Sequence, residues 1–240
     1  MFANIRDIDP NVRESWENRI FVTVDIEWSK DEIIEDVINL VEKKNIPVTW
    51  FVTHETKLLG RLRENPLFEL GIHPNFNQLL DGESDKGSSS MSVIESIIDV
   101  VPEAVSVRSH SLVYGTRIQN LFSKLGLTHD VSLFIPRSTG VRPPDPFCLQ
   151  DGFTRVSYSN DDYTNCLEEN FGDIRDCLLE NGASVFGFHP LHIFLNTSKI
   201  GLYERGKDSD IELDDLYELR STESKGNRVM FENLLSLDFD

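Results

Sequence analysis

Four apolar, strand-like runs end in residues able to do chemistry. FVTVDIEW carries Asp25 and Glu27, FELGIHPNFN carries His73 and Asn77, AVSVRSHS carries Arg108 and His110, and SVFGFHPLH carries His189 and His192. Acids, imidazoles and an arginine are costly at the rim of an apolar core unless they are paired or coordinated. The runs lie far apart in the chain yet share this pattern, so they are expected to converge on one site. The chemistry such a set suits is metal-assisted hydrolysis rather than passive binding.

Asp25 and Glu27 are two apart on a strand, which places both side chains on one side. Neighbouring carboxylates repel unless a cation lies between them or one holds a proton. A divalent metal would take one as ligand and leave the other as general base; the other reading is a solvated pair neutralised by Lys30 or an arginine. His73 and Asn77 are spaced i, i+4, as for one metal held from a helical turn, although an amide oxygen is a poorer zinc ligand than imidazole and HPNFN also reads as a plain turn. Arg108 is a natural partner for Asp25, holding it ionised and oriented. His110 shares its strand face and could be ligand, acid or wall. His189 is placed to act as general acid for a departing amine or alcohol. His192 reads equally as structural, and His54 and His129 read as structural outright. Asp161 and Asp162 follow the sixth strand-like run, and either could accept the second N–H of a catalytic histidine. There is no GxSxG elbow. Cys148, Cys166 and Cys177 form no CxxC pair and read as reduced, partly buried thiols.

The elements that must hold these residues alternate. Strands are expected over 19–28, 47–53, 68–74, 104–111, 127–134, 153–159 and 183–190. Between them lie helical patterns: Ile33, Ile34, Val37, Ile38 and Val41 between a Ser29 cap and Asn45; Leu58, Leu59 and Leu62; an Ile/Val-rich helix before Pro102; 116–125 closed by Gly126; and 163–179. The stretches 81–90 and 135–147 are rich in Gly, Ser or Pro and read as loops. This rhythm predicts an α/β fold with a parallel sheet, and seven strands with polar C-terminal ends suit a (β/α)7 TIM-like barrel whose site lies at that face. No GxGxxG or P-loop favours an open doubly wound sheet. The chain is expected to form one domain over 1–240, with a core at about 19–200 and an extension, 204–240, that packs back through Leu216, Leu219, Phe231 and Leu234.

A net charge of −18 opposes nucleic-acid binding and adhesion to anionic membranes. The acidic segment KDSDIELDDLYEL reads as a solvated helix face. No apolar stretch approaches the roughly 18 residues needed to span a bilayer. The first residues lack a basic segment followed by an apolar one, so cytoplasmic residence is expected.

Four segments in this order, TVDIE at 23–27, GIHPNFN at 71–77, VRSHS at 107–111 and FHPLHIFLN at 188–196, carry a resemblance that covers roughly residues 19–200. The chain resembles the polysaccharide deacetylases of the NodB homology (carbohydrate esterase four) superfamily, and within it the divergent deacetylase-like proteins of bacterial O-antigen and capsule loci. The resemblance implies a distorted (β/α)7 barrel and a divalent metal, with zinc expected, serving removal of acetyl groups from sugars. It places the base on Asp25, a metal ligand on Glu27, the metal-binding HxxxH on His73 and Asn77, the supporting arginine on Arg108 and the general acid on His189. Two positions depart from the family: Asn77 stands where a second histidine is usual, leaving His110, Asn77 or His192 to substitute, and His110-Ser111 replaces Pro-Tyr. The function expected is deacetylation of an acetamido sugar, or a nucleotide-linked sugar, in surface polysaccharide synthesis, with other enzymes of that synthesis as partners. An amidase acting on a small nitrogen metabolite and a catalytically silent saccharide- or partner-binding barrel are the alternatives.

Overall fold

The computed structural model describes residues 1–27, 29–83, 87–149, 152–208 and 210–238. Trp28, at the end of the first expected strand, and residues 84–86, within the expected loop 81–90, lie outside the described residues. The strands are β1 (Phe2–Ala3), β2 (Arg19–Asp25), β3 (Val48–Val52), β4 (Phe68–Ile72), β5 (Ser106–Val107), β6 (His129–Phe134), β7 (Phe147–Cys148), β8 (Thr154–Tyr158), β9 (Asn160–Asp161) and β10 (Ala183–Phe188). They form one sheet in the order β7-β8-β6-β5-β4-β3-β2-β10-β9, with β1 beside β2, and every pairing is parallel except β7 with β8.

The sheet curls until one stretch of chain meets both its ends. Residues 154–158 pair with β6, and two residues later Asn160 and Asp161 pair with Phe186 and Gly187 of β10. The fold is therefore α/β with a curled, parallel-rich, barrel-like sheet, as the strand–helix rhythm predicts.

Strand alternation sorts the residues into two layers. Ile20, Val22 and Val24 of β2, Val48, Trp50 and Val52 of β3, and Phe186 and Phe188 of β10 face the helices in the largest core cluster. Phe21, Phe51, Val131, Val156, Tyr158 and Val185 pack inside the curl, where Ala3, Ile5, Ile8 and Trp16 of the N-terminal segment join them. That segment also satisfies buried polar groups. Thr49 Oγ1 accepts the Ile5 N–H and donates to Glu69, whose carboxylate also accepts the Arg6 N–H. The plug thus covers the end of the sheet opposite the one where Asp25 and His73 emerge.

The helices are α1 (Asp31–Lys44), α2 (Leu59–Glu64), α3 (Asn77–Leu80), α4 (Ser90–Ile98), α5 (Thr116–Lys124), α6 (Asp162–Glu168), α7 (Pro190–Leu195), α8 (Ile200–Gly206), α9 (Leu213–Leu219) and α10 (Asn227–Leu235). In α1 the five expected apolar residues are the buried ones, and Asn45 ends it in the left-handed conformation; Lys30, not Ser29, occupies the N-cap. The expected helix 163–179 is shorter. It stops at Glu169 with φ of 48°, because Asn170, Gly172 and Asp173 interrupt the apolar period, and only a 3-10 turn follows at Ile174–Cys177. The expected strand 104–111 keeps ladder form only at β5, yet continues along β4: Arg108 N–H donates to Ile72 O at 3.1 Å and His110 N–H to Pro74 O at 3.0 Å.

Candidate active site

The C-terminal ends of β2, β4, β5 and β10 bring Asp25, Glu27, His73, Arg108, His110 and His189 to one cleft, a cavity of about 430 Å³. β2 ends at Asp25. Glu27 lies beyond it on a turn with φ of 29°, a left-handed backbone that a side-chain-bearing residue seldom adopts. The same-strand placement expected for the two acids is therefore replaced by a turn, and both carboxylates still face the cleft.

Three donor atoms form a compact triangle. His110 Nδ1 is 2.9 Å from Glu27 Oε1, His73 Nε2 is 3.5 Å from the same oxygen, and the two nitrogens are 3.3 Å apart. Tetrahedral zinc with bonds of 2.0–2.1 Å needs ligand atoms about 3.3–3.4 Å from one another. Two imidazoles and one carboxylate at these separations fit a catalytic metal that keeps one position open. Burial opposes ionisation of Glu27, but the positive charge of His189 and hydrogen bonds from His110 and His73 outweigh it and hold the carboxyl well below the usual range.

Asn77, expected along with His110 as a partner of His73, makes contacts of its own. Its amide nitrogen donates to Ser111 Oγ at 3.3 Å, and it opens α3. His73 lies just past a strand end and Asn77 begins a helix, so the i, i+4 spacing crosses a strand–helix junction and does not span a helical turn. The third corner belongs to His110, presented by a tight turn in which Ser111 and Leu112 have φ of 54° and 56°. Ser132 Oγ accepts the Ser109 N–H and anchors the start of that turn.

Arg108 is buried and its Nη1 donates to Asp25 Oδ1 at 3.0 Å, the pairing expected from the sequence. Its guanidinium lies between the rings of Phe51 (4.9 Å) and Tyr158 (4.4 Å), with Nε donating to Val131 O. Gly187 leaves room for it: a Cβ there would lie 3.4 Å from Arg108 Nη1 and 3.2 Å from Tyr158. The other Asp25 oxygen, Oδ2, is 3.8 Å from both His73 Nδ1 and His189 Nε2.

His189 is gripped from behind. Asp162 Oδ1 lies 2.6 Å from its Nδ1, and Asp162 Oδ2 accepts its backbone N–H at 2.5 Å. Nε2 then faces the cleft, 3.6 Å from Glu27 Oε1. Burial pushes Asp162 up to about 6, against the pull of His189. Burial disfavours the charged form of His189, but Asp162 and Glu27 more than reverse this and raise its pKa well above the ordinary value. Asp161 also lines the cleft but bonds elsewhere: it caps α6 by accepting the Thr164 N–H at 3.0 Å. His192 is fully buried, 2.6 Å from Thr197 Oγ1 through Nδ1, with its ring stacked on Tyr203 at 4.0 Å and 7°. His129 bonds the Ile8 carbonyl on the plugged side, and His54 pairs with Thr53, both away from the cleft. All three cysteines are free, with Cys166 and Cys177 buried and Cys148 exposed.

Tyr158, Tyr203 and Lys207, which are not among the residues expected from the sequence, also line the cleft. Tyr158 was visible in principle from the inward phase of its strand. Nothing in the chain near Tyr203 and Lys207 signals that α8 returns to the site.

The family model of the WbmS-like polysaccharide deacetylases matches residues 22–207. A crystal structure from Bordetella bronchiseptica, described as a polysaccharide deacetylase involved in O-antigen biosynthesis (WbmS), is 39% identical, covers 98% of this chain and 97% of its own, and superposes with a TM-score of 0.91. More distant are a polysaccharide deacetylase from Mycobacterium smegmatis (16% identity, 84% and 89% coverage, TM-score 0.49) and a family 4 carbohydrate esterase from Streptomyces lividans (12%, 73% and 80%, 0.47). At those distances neither bears on function. No curated protein matches the chain.

Proposed function

The chain belongs to the WbmS-like polysaccharide deacetylase family, hydrolases of the carbohydrate esterase type, and from that premise we propose that it deacetylates an acetamido sugar or an activated sugar precursor. The setting we read for it is assembly of a bacterial surface polysaccharide such as O-antigen, the role described for the 39%-identical relative. Its substrate is then a cytoplasmic precursor, and its partners are the enzymes that make and consume that precursor.

The observation that carries the reading is the triangle of Glu27 Oε1, His73 Nε2 and His110 Nδ1 beside an acid–base pair. A divalent ion held there, with zinc favoured by two imidazoles and a carboxylate, would acidify water and polarise the acyl carbonyl. The chain's own residues supply the rest. Asp25 Oδ2 takes the proton of the attacking water, while Oδ1 stays bonded to Arg108, which keeps the carboxylate aimed. His189 Nε2 gives its proton to the leaving nitrogen as the C–N bond breaks, and Asp162 fixes the ring through Nδ1. Water oxygen bonds the acyl carbon, and acetate and the free amine leave.

Metal analysis of purified protein, paired with acetate release from acetamido sugars, tests this. Wild type is expected to hold one divalent ion per chain and to release acetate. His110→Ala should lose more affinity than the roughly 10–100-fold that outer-shell partners are worth. Asn77→His should gain none. Retention of metal and full activity by His110→Ala, or amine release without acetate, would overturn the reading.

A further inference from the structure

The cleft has a second lobe that the reaction above does not use. This cavity, about 480 Å³, shares Glu27, His110, His189, Tyr203 and Lys207 with the first and runs on between the start of α1 and the segment after α8. A substrate seated at the donor triangle therefore opens directly into it. Both lobes fall within the range of about 300–1,000 Å³ common to small-molecule sites, so the cleft has room for more than one sugar ring.

The lining of this lobe is specific. Ile33, Leu191 and Leu216, all buried, form an apolar floor with Ile211. Two amines stand at the wall. Lys30 Nζ donates to the Ile211 carbonyl, which ties α1 to the extension. Lys207 Nζ lies over the Tyr203 ring at 5.6 Å and pairs with Glu204 at 2.8 Å, while about half its side chain stays open to solvent. Asp208 is the lobe's other acid besides Glu27. Two lysines at a cleft are notable in a chain of net charge −18. Tyr203, over which Lys207 lies, is stacked from behind on the buried His192.

We propose that this lobe is the subsite for the part of the substrate beyond the reacting acetamido ring, and that this part carries an anionic group bound by Lys207. The apolar floor takes a ring face and the ammonium takes a phosphate or carboxylate, a pairing of an apolar surface with a charge-assisted contact. The inference rests on the deacetylase reading for what occupies the first lobe, but its test does not depend on turnover.

Binding and turnover separate the two. Titration calorimetry compares UDP-N-acetylglucosamine, N-acetylglucosamine 1-phosphate, an acetamido uronic acid and neutral N-acetylglucosamine on wild type, Lys207→Ala and Lys207→Arg. Wild type should bind at least one anionic ligand about tenfold tighter than the neutral sugar, Lys207→Ala should erase that preference, and Lys207→Arg should restore most of it. Where turnover is measurable, the loss should fall on KM rather than kcat. Preference for the nucleotide or the 1-phosphate identifies phosphate as the anion, and preference for the uronic acid identifies carboxylate. Equal affinity for charged and neutral sugars, or a preference indifferent to Lys207→Ala, would overturn the proposal while leaving the deacetylase reading intact. Anion preference without any acetate release would do the reverse.

Discussion

Arg108 is the residue on which the cleft's charge balance turns. It is the charged partner bonded to a buried Asp25 oxygen, and it is itself closed in by Phe51 and Tyr158. Removing one member of a buried pair leaves an uncompensated charge, a loss of about 3–5 kcal/mol. Arg108→Met is therefore expected to lower unfolding stability by about that much in urea melts and to abolish acetate release. A stability within 1 kcal/mol of wild type would show that Asp25 finds another partner. His192 makes the opposite kind of prediction. Burial, reinforced by the positive His189 nearby, holds its pKa well below the ordinary histidine value. As pH falls through about 6.5 the unfolded chain takes up a proton that the folded chain refuses, so stability is full above that pH and declines below it, by up to about 1.4 kcal/mol per unit. Urea melts at pH 7.5 and 5.5 should show a smaller decline in His192→Phe, which keeps a ring against Tyr203; equal declines would assign the slope to other groups.

At the scale of elements, the inward rows of the strands set the site. Gly71 sits between two site-bearing positions of the sheet: a Cβ there would lie 2.5 Å from Ser106 Oγ and 2.7 Å from the Phe51 ring. Gly71→Ala must push Phe51 off the Arg108 guanidinium or spread β4 from its neighbours. The expected loss is about 1–3 kcal/mol by urea melt, with a larger effect on acetate release than on binding. Unchanged stability and activity would mean that the inner row has slack the packing does not suggest. The longer strands and α1 were legible because apolar period and breakers agree along them, whereas the two-residue strands β1, β5, β7 and β9 are too short to carry a period. The stretch 163–179 was not, because its apolar residues continue the helical count while Asn170 and Gly172 end the helix locally.

Across the whole molecule, both ends of the chain are tied into the curl. The N-terminal segment plugs one end through Ile5, Ile8 and Trp16. At the other side Asn227 of α10 donates to the Asp162 carbonyl and Thr197 Oγ1, and Arg228 pairs with Asp36 of α1. No helix among the described residues is long and apolar enough to cross a membrane. We expect one cooperative unfolding unit, with tryptophan fluorescence, to which Trp16 in the plug and Trp50 against the helices contribute along with Trp28, coinciding with far-UV circular dichroism. Separate transitions would assign the extension to a domain of its own.

The sequence by itself determined the alternation of strands and helices, and which residue types meet at the strand ends, because apolar period and the cost of burying charge are local properties of the chain. It also announced the pairing of Asp25 with Arg108, since a buried acid needs a cation and few are near. The tertiary structure alone decided that His110 meets Glu27 and His73 in one triangle, that Asp162 rather than Asp161 grips His189, and that α8 returns Tyr203 and Lys207 to the cleft. Those choices depend on how turns at Glu27, Ser111 and Glu169 redirect the chain, and on which side chains the curl then brings within about 3 Å, a distance no spacing along the sequence encodes.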